Sequence, residues 1–179
     1  MYNALGVTLP EFESDLPLRP GDALSIPELR ALARRLAADT SGWRHLVRHH
    51  PAARVFERIV DEPAVEAWLI CWMHGHDTGF HDHDLSSGAV AVLEGQVREE
   101  RLILGSASAC SVEYSAGELF DFSPADIHRV VHHGDAPTVT LHVYSPRIAR
   151  PGAYSIGPDG TLRRHQVSNR EELRPLEAV

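Results

Sequence analysis

From Ala53 to Ser145 the chain is broken into short apolar runs that recur every eight to twelve residues, and this rhythm limits the fold more than any other feature. Runs rich in Val, Ile, Leu, Phe and Tyr are expected as strands near 53–60, 65–73, 79–84, 88–94, 97–104, 109–114, 118–122, 128–132 and 137–145. Gly, Pro, Asp and Ser separate them. The spacing indicates an all-β sandwich or barrel rather than βαβ units. Closing such a sheet removes the exposed edges that so many strands create.

The flanks read differently. Residues 1–24 are rich in Pro, Gly and acids and are expected to run as an extended arm over the surface. A helix is expected from Ser25, with Ser25 as N-cap, Pro27 and Glu28 in its first turn, and Leu29, Leu32 and Leu36 at helical spacing. Gly42 reads as an interruption, and Trp43 to His50 as a second short helix ended by Pro51, its histidines on a solvated face. The tail from Ile148 holds a Pro158-Asp159-Gly160 turn and a short hairpin at most. The expected layout is one domain: arm and helices over 1–52, a barrel over 53–147, and a tail over 148–179.

A net charge of −8 argues against nucleic acid or an anionic membrane as the main partner. No apolar stretch reaches the roughly 18 residues of a membrane span, and Met1 to Pro17 lacks the basic-then-apolar pattern of a signal peptide. Two cysteines, Cys71 and Cys110, make neither a disulfide framework nor a Cys-based zinc site. A reduced, cytoplasmic protein is expected. The sequence is silent on oligomeric state.

Chemistry concentrates at His81-Asp82-His83. On a strand, side chains i and i+2 leave on one face, so both imidazoles can address one point. Imidazole is the commonest metal-ligating side chain. The competing reading is a pair of solvated histidines in a chain that has 12 of them.

Spacing around this pair resembles the first motif of the cupin family. Gly75, five residues, His81-Asp82-His83, four residues, Gly88, six residues and Gly95 follow that pattern, with Gly88 standing where cupins carry a Glu. Gly117 and His128 stand at the first-Gly to His distance of the second motif, with Ser123, Ala125 and His132 in place of its Pro, Gly and Asn. The resemblance implies a mainly β fold, a cupin double-stranded β-helix barrel with one or two N-terminal helices, holding a metal on His81, His83 and His128. With the Glu gone, three neutral imidazoles leave a divalent metal its full charge, which suits an anionic ligand such as a thiolate.

Within the cupins, several segments taken in order resemble cysteine dioxygenase and related thiol dioxygenases. They are LICWMHGHDTGFHDHD (69–84), VLEGQVREERL (92–102), IHRVVHH (127–133) and TLHVYSP (140–146). The resemblance implies Fe(II) on the three histidines and a row, Ser-His-Tyr in the family, that is Thr140, His142 and Tyr144 here. Alternation puts the row on one face of one strand, where His142 would hold Tyr144 and Tyr144 would orient oxygen or substrate. Vertebrate-type members carry at the Gly88 position a Cys that cross-links to the Tyr, so no thioether is expected here. The family anchors a substrate carboxylate on an Arg in a Tyr-x-Arg context. The match is Phe56-Glu57-Arg58, which nominates Arg58 for substrate binding, with Arg54 as its rival.

The resemblance thus implies an O2-dependent oxidation of a small thiol to its sulfinic acid, with cysteine, mercaptopropionate, cysteamine or a thioimidazole as candidate substrates. Two alternatives stay open: a cupin dioxygenase or isomerase acting on a non-thiol, and a non-catalytic metal- or ligand-binding cupin. The remaining histidines, His74, His76, His132 and His133, are expected around the site or at the surface. Cys71 is expected in the core.

Overall fold

The structure, a computed structural model, describes residues 23–103, 109–158, 160–168 and 174–175. Residues 1–22, and with them nearly all of the expected N-terminal arm, lie outside the described residues. Two antiparallel sheets carry the chain. One has the order β1 (Val55–Glu62), β2 (Val65–Trp72), β9 (Thr138–Ser145), β4 (Ser87–Glu94), β7 (Leu119–Phe122). The other runs β11 (Leu162–Gln166), β10 (Gly152–Ile156), β3 (His81–Asp82), β8 (His128–His133), β5 (Gln96–Leu102), β6 (Ala109–Ser115). This is the mainly β, double-sheet architecture expected from the strand rhythm.

The central strands of the first sheet are buried on both faces, and the residue types differ by face. On β9, Val139, Leu141 and Val143 face outward; Leu141 and Val143, with Ala67, Ala89 and Ala91, meet helix α1 (Ile26–Ala38) through Leu29, Leu32 and Ala33, while Val139 packs with Trp43, Leu69 and Cys71. Alanines on the strands let the helix approach closely. The opposite face turns Trp72, Val90, Val92, Phe120, Phe122 and Tyr144 into the barrel. Helix α1 begins as expected: Ser25 and Glu28 form a reciprocal capping box, with a proline in the first turn. Among the described residues no helix is long and apolar enough to cross a membrane.

The second helix departs from expectation. Asp39 caps a single turn, α2 (Thr40–Trp43), by accepting from Gly42 N at 3.2 Å, so Gly42 lies inside it rather than interrupting it. A 3-10 turn, Arg44–Leu46, follows, and by Val47 the backbone is extended. Helix therefore ends well before Pro51, once Trp43 is buried and an Asp has capped the turn that presents it.

The tail does more than turn. Its hairpin, β10 with β11, joins the second sheet because Gly152 and Ala153 pair with Asp82 and His81. The strand expected over 79–84 is regular only at His81 and Asp82, and β10 is one of its two neighbours. Residues 152–156 are thus part of the sheet that carries the histidines, beyond the barrel boundary expected at 147. Gly79, at φ 66°, leaves room for Pro175, whose backbone lies 2.7 Å from where a Cβ on Gly79 would stand.

Candidate metal centre

Three buried imidazoles converge inside the barrel. His81 on β3 faces His128 on β8 in direct register, and His83 follows two residues on, on the same face as His81. Ring centroids are 4.7 Å apart for His81–His83 and His81–His128, and 5.1 Å for His83–His128. One ligand atom from each residue lies within 4.8 Å of the others, and among the described residues no other group of three or more His, Cys, Asp or Glu converges in this way.

Hydrogen bonds orient two of the rings. His81 Nδ1 donates to the Gly79 carbonyl at 3.0 Å, and His128 Nδ1 donates to Glu99 Oε1 at 2.7 Å. His128 Nε2 and His83 Nδ1 are buried without a hydrogen-bond partner. Burial pushes the imidazole of His81 down to about 4 and holds His83 and His128 well below the ordinary value. All three are therefore neutral near pH 7, with lone pairs available. Neutral nitrogen donors with orphaned buried atoms fit a divalent first-row metal ion, since such atoms are costly unless something binds them.

Asp82 points the other way, into the C-terminal hairpin. It accepts from Arg164 Nε and Nη2 at 2.6 and 2.9 Å, from Tyr154 Oη at 2.7 Å and from Gly152 N at 3.2 Å. Burial opposes ionisation, yet the bonds from Arg164 and Tyr154 hold the carboxyl well below the usual carboxylate range.

The row on β9 is continuous. Trp72 Nε1 donates to Thr140 Oγ1 at 2.7 Å, Thr140 Oγ1 lies 2.9 Å from His142 Nε2, and His142 Nδ1 lies 3.0 Å from Tyr144 Oη. Indole N–H only donates, so the Thr140 oxygen accepts it. The Thr140 hydroxyl proton finds its acceptor in His142 Nε2. With that proton donated, His142 is the Nδ1–H tautomer, donates to Tyr144, and leaves the Tyr144 proton free. Burial, then the positive charge of Arg54, push His142 down to about 3, while burial raises Tyr144. The row is thus neutral, and the Tyr144 ring lies 5.3 Å from the His83 ring.

Phe122 closes one side. It stacks on His83 at 4.2 Å and 21°, and lies 4.6 Å from the His128 ring.

The two arginines nominated for a carboxylate separate clearly. Arg58 is not gathered into the cluster: its side chain is 37% exposed, pairs with Asp61 at 2.7 Å and lies over Trp68. Arg54 is 7% exposed, with its guanidinium 4.9 Å from the Trp72 ring centroid, and its charge is felt at His81, His142 and Tyr144. The substrate-binding expectation for Arg58 therefore has no support in the geometry. Arg58 stands on β1, the edge strand of its sheet, paired with Trp68 just before a bulge that shifts the register.

Sequence reasoning missed Glu99. Alternation puts Val97, Glu99 and Arg101 on one face of β5, but only the register shows that they stand opposite His132, Val130 and His128. Glu99 is 2% exposed; burial raises its carboxyl to about 7 against the pull of Arg101. His76 is buried with both nitrogens bonded, to Met73 N and the Pro51 carbonyl, while His132 donates to the Ala136 carbonyl. Cys71 is buried and Cys110 exposed, both free.

Residues 16–156 match the family described as cysteine dioxygenase type I. Cysteine dioxygenase type 1 of Homo sapiens is 26% identical over 137 residues, covering 70% of this chain and 68% of that protein. The Danio rerio protein of the same name is 25% identical over 137 residues, covering 70% and 67%. Among solved structures, a Klebsiella pneumoniae protein with a double-stranded beta-helix domain matches with a TM-score of 0.53 at 16% identity, over 60% of this chain and 84% of that one. A Thermus thermophilus protein matches with a TM-score of 0.50 at 19% identity, over 58% and 93%. These two likenesses show the fold.

Proposed function

The chain belongs to the cysteine dioxygenase type I family, and from that premise we propose that it is a non-haem Fe(II) thiol dioxygenase that converts a small thiol and O2 into the sulfinic acid. The observation that carries the reading is the pairing of a buried three-histidine cluster with the Trp72–Thr140–His142–Tyr144 chain beside it.

His81, His83 and His128 would hold the ion. Bound there, Fe(II) would supply a Lewis acid that favours thiolate over thiol and the redox capacity to use O2. The protein's share is binding and orientation. Tyr144, kept as a phenol by burial and supplied with a hydrogen bond by His142, offers its proton to an oxygen or carboxylate beside His83. In our assignment Arg54, rather than Arg58, pairs with the substrate carboxylate; a buried guanidinium stacked on Trp72 is preorganised for a two-pronged bond. Phe122 keeps water off the His83 side. No strong base is needed, since the metal lowers the thiol pKa.

Oxygen uptake by Fe(II)-loaded protein, measured with a panel of small thiols and a His83→Ala control, tests the reading. Uptake that requires one thiol and is lost in His83→Ala supports it. An iron-loaded protein that consumes oxygen with no thiol in the panel refutes it.

A further inference from the structure

The cupin ligand set includes a carboxylate that this chain lacks, because Gly88 stands in its place. A carboxylate nevertheless reaches the centre from behind. Glu99 Oε1 lies 2.7 Å from His128 Nδ1, and both side chains are 2% exposed. Arg101, directly opposite His128 in the β5–β8 register, brings Nη2 to 3.0 Å from Glu99 Oε1 and 3.1 Å from Oε2. That guanidinium also donates to the Asp121 carbonyl and lies 3.6 Å from Asp126 Oδ2.

We propose that Glu99 is the positioning residue of the metal centre: clamped by Arg101, it holds His128 as the Nδ1–H tautomer and turns the Nε2 lone pair to the ion. A neutral imidazole has one N–H and one lone pair. Arg101, which can only donate, contacts both Glu99 oxygens and so leaves them as acceptors, which fixes the His128 N–H on Nδ1. His128 Nε2 is then left with a lone pair, and it is the atom found buried without a partner. The hydrogen bond to an anion also makes the imidazole a stronger donor. His81 has only a neutral carbonyl in the corresponding place, that of Gly79. Of these two rings, His128 is thus the one oriented by a side chain, whose replacement can be tested.

The outer side of the Glu99–Arg101 pair faces a cavity of about 320 Å³ lined also by Arg30, Tyr114, Asp121 and Cys110. Arg101 thus borders open space, and trimming it does not empty the apolar core.

The assignment rests on the metal reading above, and Co(II) binding to the purified full chain tests the two separately. Affinity is read by competition with a chromophoric chelator, ligand-field absorption reports coordination, and circular dichroism reports folding. His128→Ala should lose Co(II) binding; if it binds as wild type does, the metal reading fails and this assignment with it. Given that loss, Glu99→Gln should bind Co(II) about 10- to 100-fold more weakly with displaced ligand-field bands. Arg101→Met should fall between Glu99→Gln and wild type. Folded Glu99→Gln with wild-type affinity and bands overturns the assignment while leaving the metal reading standing. Should Glu99→Gln fail to fold, Glu99→Asp keeps the charge but is one methylene too short to hold the 2.7 Å bond, and wild-type affinity there overturns the assignment equally.

Discussion

The ring of Phe122 occupies the space a side chain at Gly88 would need: a Cβ built on Gly88 stands 2.1 Å from Phe122 Cζ. The two residues are direct register partners on β7 and β4, and Gly88 also lies opposite Tyr144 on β9. The missing cupin carboxylate and the missing vertebrate-type cysteine thus have one physical cause. An aromatic side chain from the neighbouring strand has taken their volume, and it stacks on His83 instead.

Gly88→Ala should therefore destabilise the protein by about 3 kcal/mol through overpacking, a fall in Tm of roughly 6–12 °C for a chain of this size. Phe122→Ala alone should cost about 3–5 kcal/mol by leaving a cavity. In the double variant the clash is gone, so its loss should be smaller than the sum of the single losses by about 2 kcal/mol or more. Strict additivity in a denaturation cycle would show that the two residues do not compete for space.

Substrate anchoring separates the two arginines. A charge-assisted pair to a carboxylate is worth about 1.5–3 kcal/mol, so Arg54→Gln should raise KM for a carboxylate-bearing thiol by roughly 10- to 100-fold. A thiol without a carboxylate, such as cysteamine, should respond much less. Arg58→Gln, at the exposed pair with Asp61, should change KM less than about twofold, as is usual for surface ion pairs. Steady-state kinetics with both thiols decide it, and a large effect confined to Arg58 would reverse the assignment.

These contrasts mark what the sequence could and could not disclose. Strand positions were legible because β4 is an almost unbroken apolar run and β9 alternates Val and Leu with Thr, His and Tyr, while Gly, Pro and Asp mark the breaks between strands. The resemblance to the cupins named His81, His83 and His128 together and the resemblance to the thiol dioxygenases named the Thr140-His142-Tyr144 row, while period-2 alternation showed only that His81 with His83, and the members of the row, share a face. Glu99 was illegible as a site residue because Arg98 to Arg101 reads as a charged, solvated strand. Alternation says which residues share a face, but only the fold says which face is inside. Arg54 and Arg58 also share a face by parity, but Arg54 stands just before β1 and lies over Trp72, whereas Arg58 stands within that edge strand and lies over Trp68, a difference that no local pattern announces. The start of α2 is set by Asp39 acting as its N-cap, and the turn it caps ends on the buried Trp43.

Acid sensitivity should single out His142. Its folded-state value is pushed down to about 3, against an ordinary value of 6.5. The unfolded chain thus binds one more proton than the folded chain between these two values. The neutral, hydrogen-bonded imidazole is fully accommodated above pH 6.5, and stability is lost as pH falls below it. Relative to His142→Gln, wild type should lose about 1.4 kcal/mol per pH unit below roughly 6.5. Urea denaturation of the metal-free forms from about pH 7 to about pH 4.5 measures the difference, and parallel profiles for the two proteins would refute a buried neutral His142.

Arg164 should matter to a metal centre it never touches. Asp82 lies between His81 and His83 in sequence but faces the opposite side, where Arg164 grips both of its oxygens and Tyr154 adds a third bond. β3 is only two residues long, so its backbone is fixed largely by its pairing with β8 and β10 and by this clamp. Arg164→Met keeps the length of the side chain and removes the fork. Without it the Asp82 carboxylate loses its strongest partner, β10 is held less firmly, and the His81–His83 spacing is free to relax. Ligand groups held loosely pay an ordering cost on binding, so Co(II) affinity should fall by roughly 3- to 10-fold, equivalent to about 0.7–1.4 kcal/mol. Asp82→Asn should weaken binding to a similar degree, because it removes the charge from the other end of the same bond. If both variants bind Co(II) as wild type does while hydrogen exchange shows β10 opening more readily, the hairpin stabilises the fold without setting the geometry of the histidines.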